Sequence, residues 1–180
     1  FILIQAPSRD KGSVFLKRDK EIWNWQPKIE KVIKLPPSMM MQSWMGSDLT
    51  NDDLVKESSI LNDYTHLIVG DTTILDRVCY TIELTPKPEA AVVWGMIKTF
   101  IDKKEYLQMG SDFYDEDGYL ITKMEASDLT YFGDKLLPAT MVMTPIEEEG
   151  NKTTLHYKSI EFDIEIEESF FTKQNMKRLR

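Results

Sequence analysis

Short apolar runs separated by turn residues recur along the whole chain, and no stretch keeps a helical period of apolar positions. The alternation is clear in residues 29–35, whose odd-numbered positions share one face of a strand. This pattern predicts strands over 13–17, 21–26, 29–35, 64–70, 77–84, 92–101, 106–114, 120–127, 135–145 and 153–162. Because the connections between these strands are short, we expect an antiparallel meander.

Helical signals are few. Thr50 is followed three residues later by Asp53, a variant of the capping box, and this predicts a short helix over residues 51–58. Residues 167–180 are polar apart from two phenylalanines and a few aliphatic residues, which is typical of a short closing helix or turn. The predicted fold class is therefore mainly β, with one or two short helices.

Several predicted strands carry large apolar side chains on one face. Trp23 and Trp25 alternate in strand 21–26, and Trp94, Met96 and Phe100 alternate in strand 92–101. Tryptophan is costly to leave in water. A curved sheet with an apolar concave face explains this pattern, and so does an ordinary sheet covered by helices.

A methionine-rich loop, residues 36–46, interrupts the strands between two prolines and a glycine. Methionine is unbranched and polarizable, so a cluster of it suits a surface that accepts varied apolar shapes. The loop has three interpretations, as a plug over one end of the β core, as a lid or as the lip of a binding site. Its large apolar residues are Met39, Met40, Met41, Trp44 and Met45.

Composition narrows the class of protein. The chain has 180 residues, of which 42% are hydrophobic, so it is long enough for one domain spanning 1–180 with a substantial core. Its net charge of −8 argues against nucleic-acid or anionic-membrane binding as the main task. Cys79 is the only cysteine, so an intrachain disulfide is excluded. No apolar run is long enough to span a bilayer.

Catalytic signals are weak. His66 and His156 lie far apart in predicted strands without partners at metal-ligand spacing. Cys79 falls inside a strand pattern typical of a buried, inert thiol. The sequence contains no Gly-rich phosphate loop, nucleophile elbow or HExxH motif. We therefore expect a protein that is not an enzyme, with no catalytic residue, metal or cofactor.

Two segments, APSRDKGSVFLKRDKEIWNWQPKIEKVIKLPP and SMMMQSWMGSDLTNDDLV, carry a resemblance to a known family. They are similar to the outer-membrane lipoprotein-sorting proteins, the LolA-like family, and YDEDGYLITKMEASD and SFFTKQNMKR also fit it. The positions that match the family pattern are Pro7, Arg9, Lys11, Gly12, Trp23, Trp25, Pro27, Trp44, Met45, Gly46, Ser47, Asp48 and Asp53.

The resemblance implies an incomplete, half-open antiparallel barrel with helices packed inside it. It also implies a carrier of acyl chains or lipoproteins in the periplasm of a diderm bacterium, with an inner-membrane transporter or an outer-membrane acceptor as a partner. Members of the family have an N-terminal helix and one or more strands before the position of Phe1. We therefore expect that this chain lacks those elements and a signal peptide.

The candidate binding residues follow from the apolar faces and the methionine-rich loop. Wall candidates are Trp23, Trp25, Trp94, Met96 and Phe100, and lip or lid candidates are Met39, Met40, Met41, Trp44 and Met45. Each of them fits an ordinary core position as well.

The alternative function is a non-enzymatic envelope interaction module that partners a membrane transporter. A carrier requires an apolar cavity of several hundred Å³, whereas a module requires only a flat apolar patch.

Overall fold

The structure, a computed structural model, describes residues 1–18, 21–40, 42–51, 53, 60–90, 92–148 and 150–179. Two α-helices, α1 (Ile60–Asp63) and α2 (Lys173–Met176), and two 3₁₀ turns, Pro37–Met39 and Glu168–Phe170, accompany eleven strands in these ranges. The strands are β1 (Ile2–Leu3), β2 (Val14–Arg18), β3 (Glu21–Gln26), β4 (Lys31–Lys34), β5 (Tyr64–Ile74), β6 (Arg77–Pro86), β7 (Met96–Asp102), β8 (Gln108–Tyr114), β9 (Leu120–Phe132), β10 (Lys135–Pro145) and β11 (Thr153–His156).

The strands form two open antiparallel sheets. Strands β1 to β4 make the smaller sheet, and β5 to β11 make a seven-stranded sheet in which neighbours in the chain are neighbours in the sheet. The expected meander is therefore present in each sheet. The predicted fold class is confirmed, since the described chain is mainly β, its sheets do not close into a barrel and its helices are short.

The chain divides into two compact units. Unit 1 comprises Phe1–Gln42, Thr50–Glu57 and Asp163–Arg180, and it contains the smaller sheet. Unit 2 comprises Ser43–Leu49 and Ser58–Phe162, and it contains the larger sheet. That residues 1–180 act as a single domain stays a prediction.

The core of unit 1 lies on one face of the smaller sheet. Leu16 pairs with Trp23 and Val14 with Trp25, so these four side chains share a face. Met176 of α2 is fully buried against them, and Phe171 and Leu179 pack around it. The face is therefore covered by the C-terminal segment, although the sequence indicated little helix to cover it.

Helix α2 is a single turn that depends on its surroundings. Thr172 caps it by accepting a hydrogen bond from the backbone N–H of Asn175. Lys173 and Lys177, four residues apart, place their ammonium groups 4.4 and 5.6 Å from the ring centroids of Trp23 and Trp25. An isolated helix of this length is unstable in water, so contacts with the sheet hold it in place.

Unit 2 buries apolar side chains on both faces of its sheet. One cluster contains Tyr64, Leu84 and Ile97, and the other contains Cys79, Leu107 and Met109. Cys79 and Leu84 are five residues apart in the same strand, so they point to opposite faces. This explains why several strands of unit 2 do not show a clean alternation of apolar and polar residues.

The first hairpin of unit 2 differs from the prediction. The predicted strand ends at residue 70, but β5 continues to Ile74 and the turn is formed by Leu75 and Asp76. Both residues have positive φ, 48° and 60°, as a two-residue hairpin loop requires. Glycine and asparagine normally occupy such positions, and their absence hid the turn.

The bounds of three further strands differ from the predicted ranges. Strand β4 is shorter than predicted and begins after Glu30, whose φ of 52° interrupts the extended backbone. Strand β7 begins at Met96 rather than at Val92, and β11 ends at His156 rather than at residue 162.

Of the predicted helix 51–58, Asn51 and Asp53 are helical. The rest of that helix lies outside the described residues.

Strand β5 forms one edge of the larger sheet and carries exposed apolar side chains. Leu67, Ile68 and Val69 are 64%, 58% and 47% exposed, and the pairing with β6 shifts register between Ile68 and Gly70. The shift is a bulge, a feature that bends a strand locally.

We predict that Met176→Ala destabilises the protein by about 2–5 kcal/mol, the usual cost of truncating a buried methionine. The reason is that Met176 packs on the face of the smaller sheet that carries Trp23 and Trp25. Urea unfolding measures the change, and Gln174→Ala, at an exposed position within the same helical turn, serves as the control. Equal unfolding midpoints for the two variants would contradict the packing described for α2.

Candidate functional site

A cavity of about 400 Å³ lies in unit 1 beside the ring of Trp25. Ligand pockets usually have volumes of about 300–1,000 Å³. Apolar groups from three parts of the chain make up much of its wall, with a few polar groups among them. The lining residues are Leu3, Ile4, Gln5, Lys11, Gly12, Trp25, Pro27, Glu30, Lys177 and Leu179.

The local sequence shapes this cavity through two turns. Gly12 has a φ of +84°, and its N–H donates to the carbonyl of Ile4 at 2.8 Å, which folds the β1–β2 connection back on itself. The second turn follows β3, where Pro27 ends the strand next to Trp25. A Cβ atom at Gly12 would lie 3.5 Å from Cγ of Pro27, so the two turns are in close contact.

The cavity carries three charged side chains, Lys11, Lys177 and Glu30, all of them exposed. Within the described part of the chain, none of the three is in an ion pair. Lys177 instead lies over the ring of Trp25. The cavity therefore combines an apolar wall with a mouth that has one more positive than negative charge.

The structure separates the predicted wall residues. Trp25 lines the cavity, whereas Trp23 is buried in the core of unit 1. Trp94 and Phe100 were predicted to share a face of one strand, and this is wrong. Trp94 precedes β7 and packs with Tyr64 and Leu84, while Phe100 packs with Cys79 in the other cluster of unit 2. Met96 starts β7.

The environment of Trp94 explains its departure from the strand. Gly95 comes so close to the backbone of Asp115 that a Cβ atom would lie 2.3 Å from the Asp115 carbonyl oxygen. Trp94 packs on Phe113, with ring centroids 5.1 Å apart. Its indole Nε1 is buried and has no hydrogen-bond partner among the described residues.

The methionine-rich loop contributes no described residue to the cavity beside Trp25. Met39 ends a 3₁₀ turn in unit 1, and Met45 lies in unit 2 with a φ of 54°. Nearly two fifths of each side chain is exposed to solvent. Met40 and Trp44 are half-buried, and Met41 lies outside the described residues. The lip role of the loop stays a prediction.

Hydrogen bonds anchor the residues that follow the methionine-rich loop. The Asp48 N–H donates to the hydroxyl of Thr153 in β11 at 2.8 Å, and that hydroxyl donates to the Asp48 carboxylate at 2.6 Å. The Thr50 N–H donates to the Asp53 carboxylate at 2.7 Å, and the Asp53 N–H donates to the Thr50 hydroxyl at 3.1 Å. These reciprocal bonds confirm the predicted capping box.

Cys79 has the environment of an inert thiol. Its side chain is fully buried. Burial is the larger cause of the raised pKa of the thiol, and the nearby Asp102 carboxylate is the second.

His66 is exposed, and His156 is hydrogen-bonded to Thr140 at 2.8 Å. The described ranges contain no group of three or more potential metal-ligating side chains, and none of their helices is long and apolar enough to cross a membrane.

Sequence reasoning missed part of the cavity. Leu3, Lys177 and Leu179 line it, but they were not among the predicted site residues. Lys177 and Leu179 reach it because the C-terminal segment packs against strands more than 150 residues earlier in the chain. Lys11 and Gly12 did carry a signal, since they belong to the motif on which the family resemblance rests.

Three solved structures share the fold. A DUF1329 family protein from Desulfovibrio piger has a TM-score of 0.86 and 21% identity, covering 97% of this chain and 75% of its own. A proposed outer-membrane lipoprotein-sorting protein domain from Vibrio parahaemolyticus has a TM-score of 0.86 and 22% identity, covering 98% and 76%. A LolA superfamily protein from Nitrosomonas europaea has a TM-score of 0.77 and 19% identity, covering 96% and 75%.

These comparisons confirm the resemblance drawn from the motifs, and the chain has a LolA-like fold. Residues 1–178 match the model of a protein family whose description reads "Uncharacterized protein", and the chain belongs to that family. None of the curated proteins matches the sequence. Identities near 20% establish the fold that is shared, and the site has to be argued from the residues of this chain.

We predict that Cys79 reacts with Ellman's reagent far more slowly in the folded protein than in urea. The raised pKa lowers the thiolate fraction at any given pH, so the native reactivity stays low as the pH rises through the usual thiol range. Lys28→Cys in a Cys79→Ala background places a thiol at an exposed position and provides the fast control. Similar native rates for Cys79 and the control thiol would refute an inert Cys79.

We predict that Thr50→Ala lowers the free energy of unfolding by about 0.5–2 kcal/mol, the usual cost of a lost N-cap. Asp53→Asn should cost less, because an amide oxygen still accepts the hydrogen bond from the Thr50 N–H. Thr50→Ser keeps the capping oxygen and serves as the matched control. Urea unfolding of the three variants gives this order of stability, and a Thr50→Ala midpoint equal to that of Thr50→Ser would contradict it.

Proposed function

We propose that this protein is a non-enzymatic periplasmic carrier that binds the acyl chain of a lipid or lipoprotein for outer-membrane sorting. The observation that carries the proposal is the cavity beside Trp25, whose wall includes Leu3, Ile4, Pro27 and Leu179. A carrier requires a concave space of this size with apolar groups in its wall, whereas a module requires only a flat patch.

The energetics of such a cavity suit a carrier. Each buried methylene group contributes roughly 0.8 kcal/mol, so eight of them give a gross gain of roughly 6 kcal/mol. The cost of immobilising a flexible chain is subtracted from this gain. The result is reversible binding, and a carrier requires reversibility in order to release its cargo.

The comparisons support the same proposal at a coarser level. A neighbour with a TM-score of 0.86 is described as a lipoprotein-sorting domain, and another neighbour belongs to the LolA superfamily. By analogy, the cargo would be received from an inner-membrane transporter or delivered to an outer-membrane acceptor. The methionine-rich loop (Met39, Met40, Met41, Trp44 and Met45) would adapt to such a cargo or partner.

One observation favours the alternative, an envelope interaction module. Leu67, Ile68 and Val69 expose apolar side chains on the edge strand of the larger sheet. Exposed sheet edges are common sites of strand addition by a partner protein. This edge lies in unit 2 and the cavity lies in unit 1, so variants can test the two functions separately.

We predict saturable binding of a fluorescent fatty acid that unlabelled fatty acid displaces. Leu179→Glu should weaken this binding about tenfold, because it replaces apolar wall with charge and removes the equivalent of about two methylene contacts. Leu155→Glu, at a partly exposed position in unit 2, is the matched control and should leave the affinity unchanged.

Far-UV circular dichroism and urea unfolding of both variants establish that each is folded. Absence of saturable binding by the unmodified protein would overturn the carrier proposal. Unchanged affinity in Leu179→Glu, with binding intact, would overturn the assignment of the site to the cavity beside Trp25.

A further inference from the structure

We propose that the cavity beside Trp25 selects acyl-chain amphiphiles with an anionic headgroup, which Lys11 and Lys177 bind at its mouth. This inference rests on the proposed function, because the apolar wall has to hold the acyl chain. It goes beyond that function by assigning the chemistry of the headgroup. The argument depends on where these two lysines lie and on which other charges surround them.

Lys177 is held at the cavity by the fold rather than by an ion pair. It follows helix α2, and its ammonium group lies 5.6 Å from the ring centroid of Trp25, which also lines the cavity. A cation over an aromatic ring keeps its N–H donors available for an oxygen ligand. The described residues place no carboxylate within ion-pair distance of Lys177.

Lys11 approaches the same cavity from the β1–β2 connection. The other cation of this connection, Arg9, is paired with Asp10 at 3.2 Å. Lys11 is in no ion pair with the rest of the described chain. The cation that lines the cavity is therefore the one whose charge is available to a ligand.

The location of these lysines stands out against the charge of the chain. With 30 acidic and 22 basic residues, the protein as a whole repels anions. Among the described residues, Glu30 is the only acidic one that lines the cavity, so the mouth is locally positive. Glu30 opposes an anionic headgroup, and its removal should therefore strengthen binding.

The chemistry also limits the class of ligand. Lys11 and Lys177 are exposed, and salt screens exposed charges strongly. Two such charges hold a free phosphate weakly, but they add selectivity once an acyl chain is anchored in the apolar wall. The ligand class is therefore an alkyl chain that carries a phosphate, sulfate or carboxylate group.

The experiment compares dodecyl phosphate, dodecyl maltoside and inorganic phosphate by displacement of a fluorescent fatty acid, below the micelle concentration and at low salt. Dodecyl phosphate should bind more tightly than the neutral maltoside, and added salt should reduce the difference. Lys177→Gln and Lys11→Gln should each weaken dodecyl phosphate binding about two- to fivefold. Neither variant should change the affinity for the maltoside.

Glu30→Gln should strengthen dodecyl phosphate binding by a similar factor. Lys104→Gln is the matched control. It removes the same charge from an exposed position in unit 2, where Lys104 lies near Glu105, and it should leave both affinities unchanged. The opposite signs expected for Lys177→Gln and Glu30→Gln distinguish a local charge effect from loss of folding.

Equal affinity for dodecyl phosphate and dodecyl maltoside would overturn the headgroup inference and leave the carrier proposal standing. Failure of both detergents and of the fluorescent fatty acid to bind would overturn both proposals. Inorganic phosphate binding as tightly as dodecyl phosphate would indicate an anion site without an acyl chain, and would also overturn the inference.

Discussion

Unit 1 depends on the contact between its C-terminal segment and the face of β3 that carries Trp23 and Trp25. Trp23 and Trp25 form a wide apolar surface on a four-stranded sheet that has few residues of its own to bury it. Met176 fills the centre of that surface, and Lys173 and Lys177 cover the rings. The same segment continues to Leu179 and closes one wall of the cavity. Packing of the C-terminal segment therefore completes both the core of unit 1 and the wall of its cavity.

Local signals made much of the fold predictable. The alternation of apolar residues located the strands, and β10 was predicted with its observed bounds, Lys135–Pro145. The capping box of Thr50 and Asp53 was also readable, because its two partners are three residues apart. Features of this kind depend on neighbours in the chain, and a single sequence contains the information needed to find them.

The sequence failed where distant contacts or unusual turns decide the outcome. Leu75 and Asp76 form a tight hairpin turn without the residues that usually mark one. Trp94 leaves the strand pattern because the backbone at Gly95 lies against the backbone of Asp115, a contact that no local sequence pattern predicts. The cavity itself was only partly predicted, since Trp25 was identified and the C-terminal residues that complete it were not.

The exposed edge of the larger sheet has a consequence for the behaviour of the protein in solution. Proteins usually protect an edge strand with lysine, proline or inward-pointing charge, and residues Leu67 to Val69 of β5 provide none of these. The bulge at Ile68 is the protection that this stretch retains, because a bent edge is a poorer template for another strand. Concentrated preparations are therefore open to edge-to-edge association, and conditions that straighten β5 would promote it.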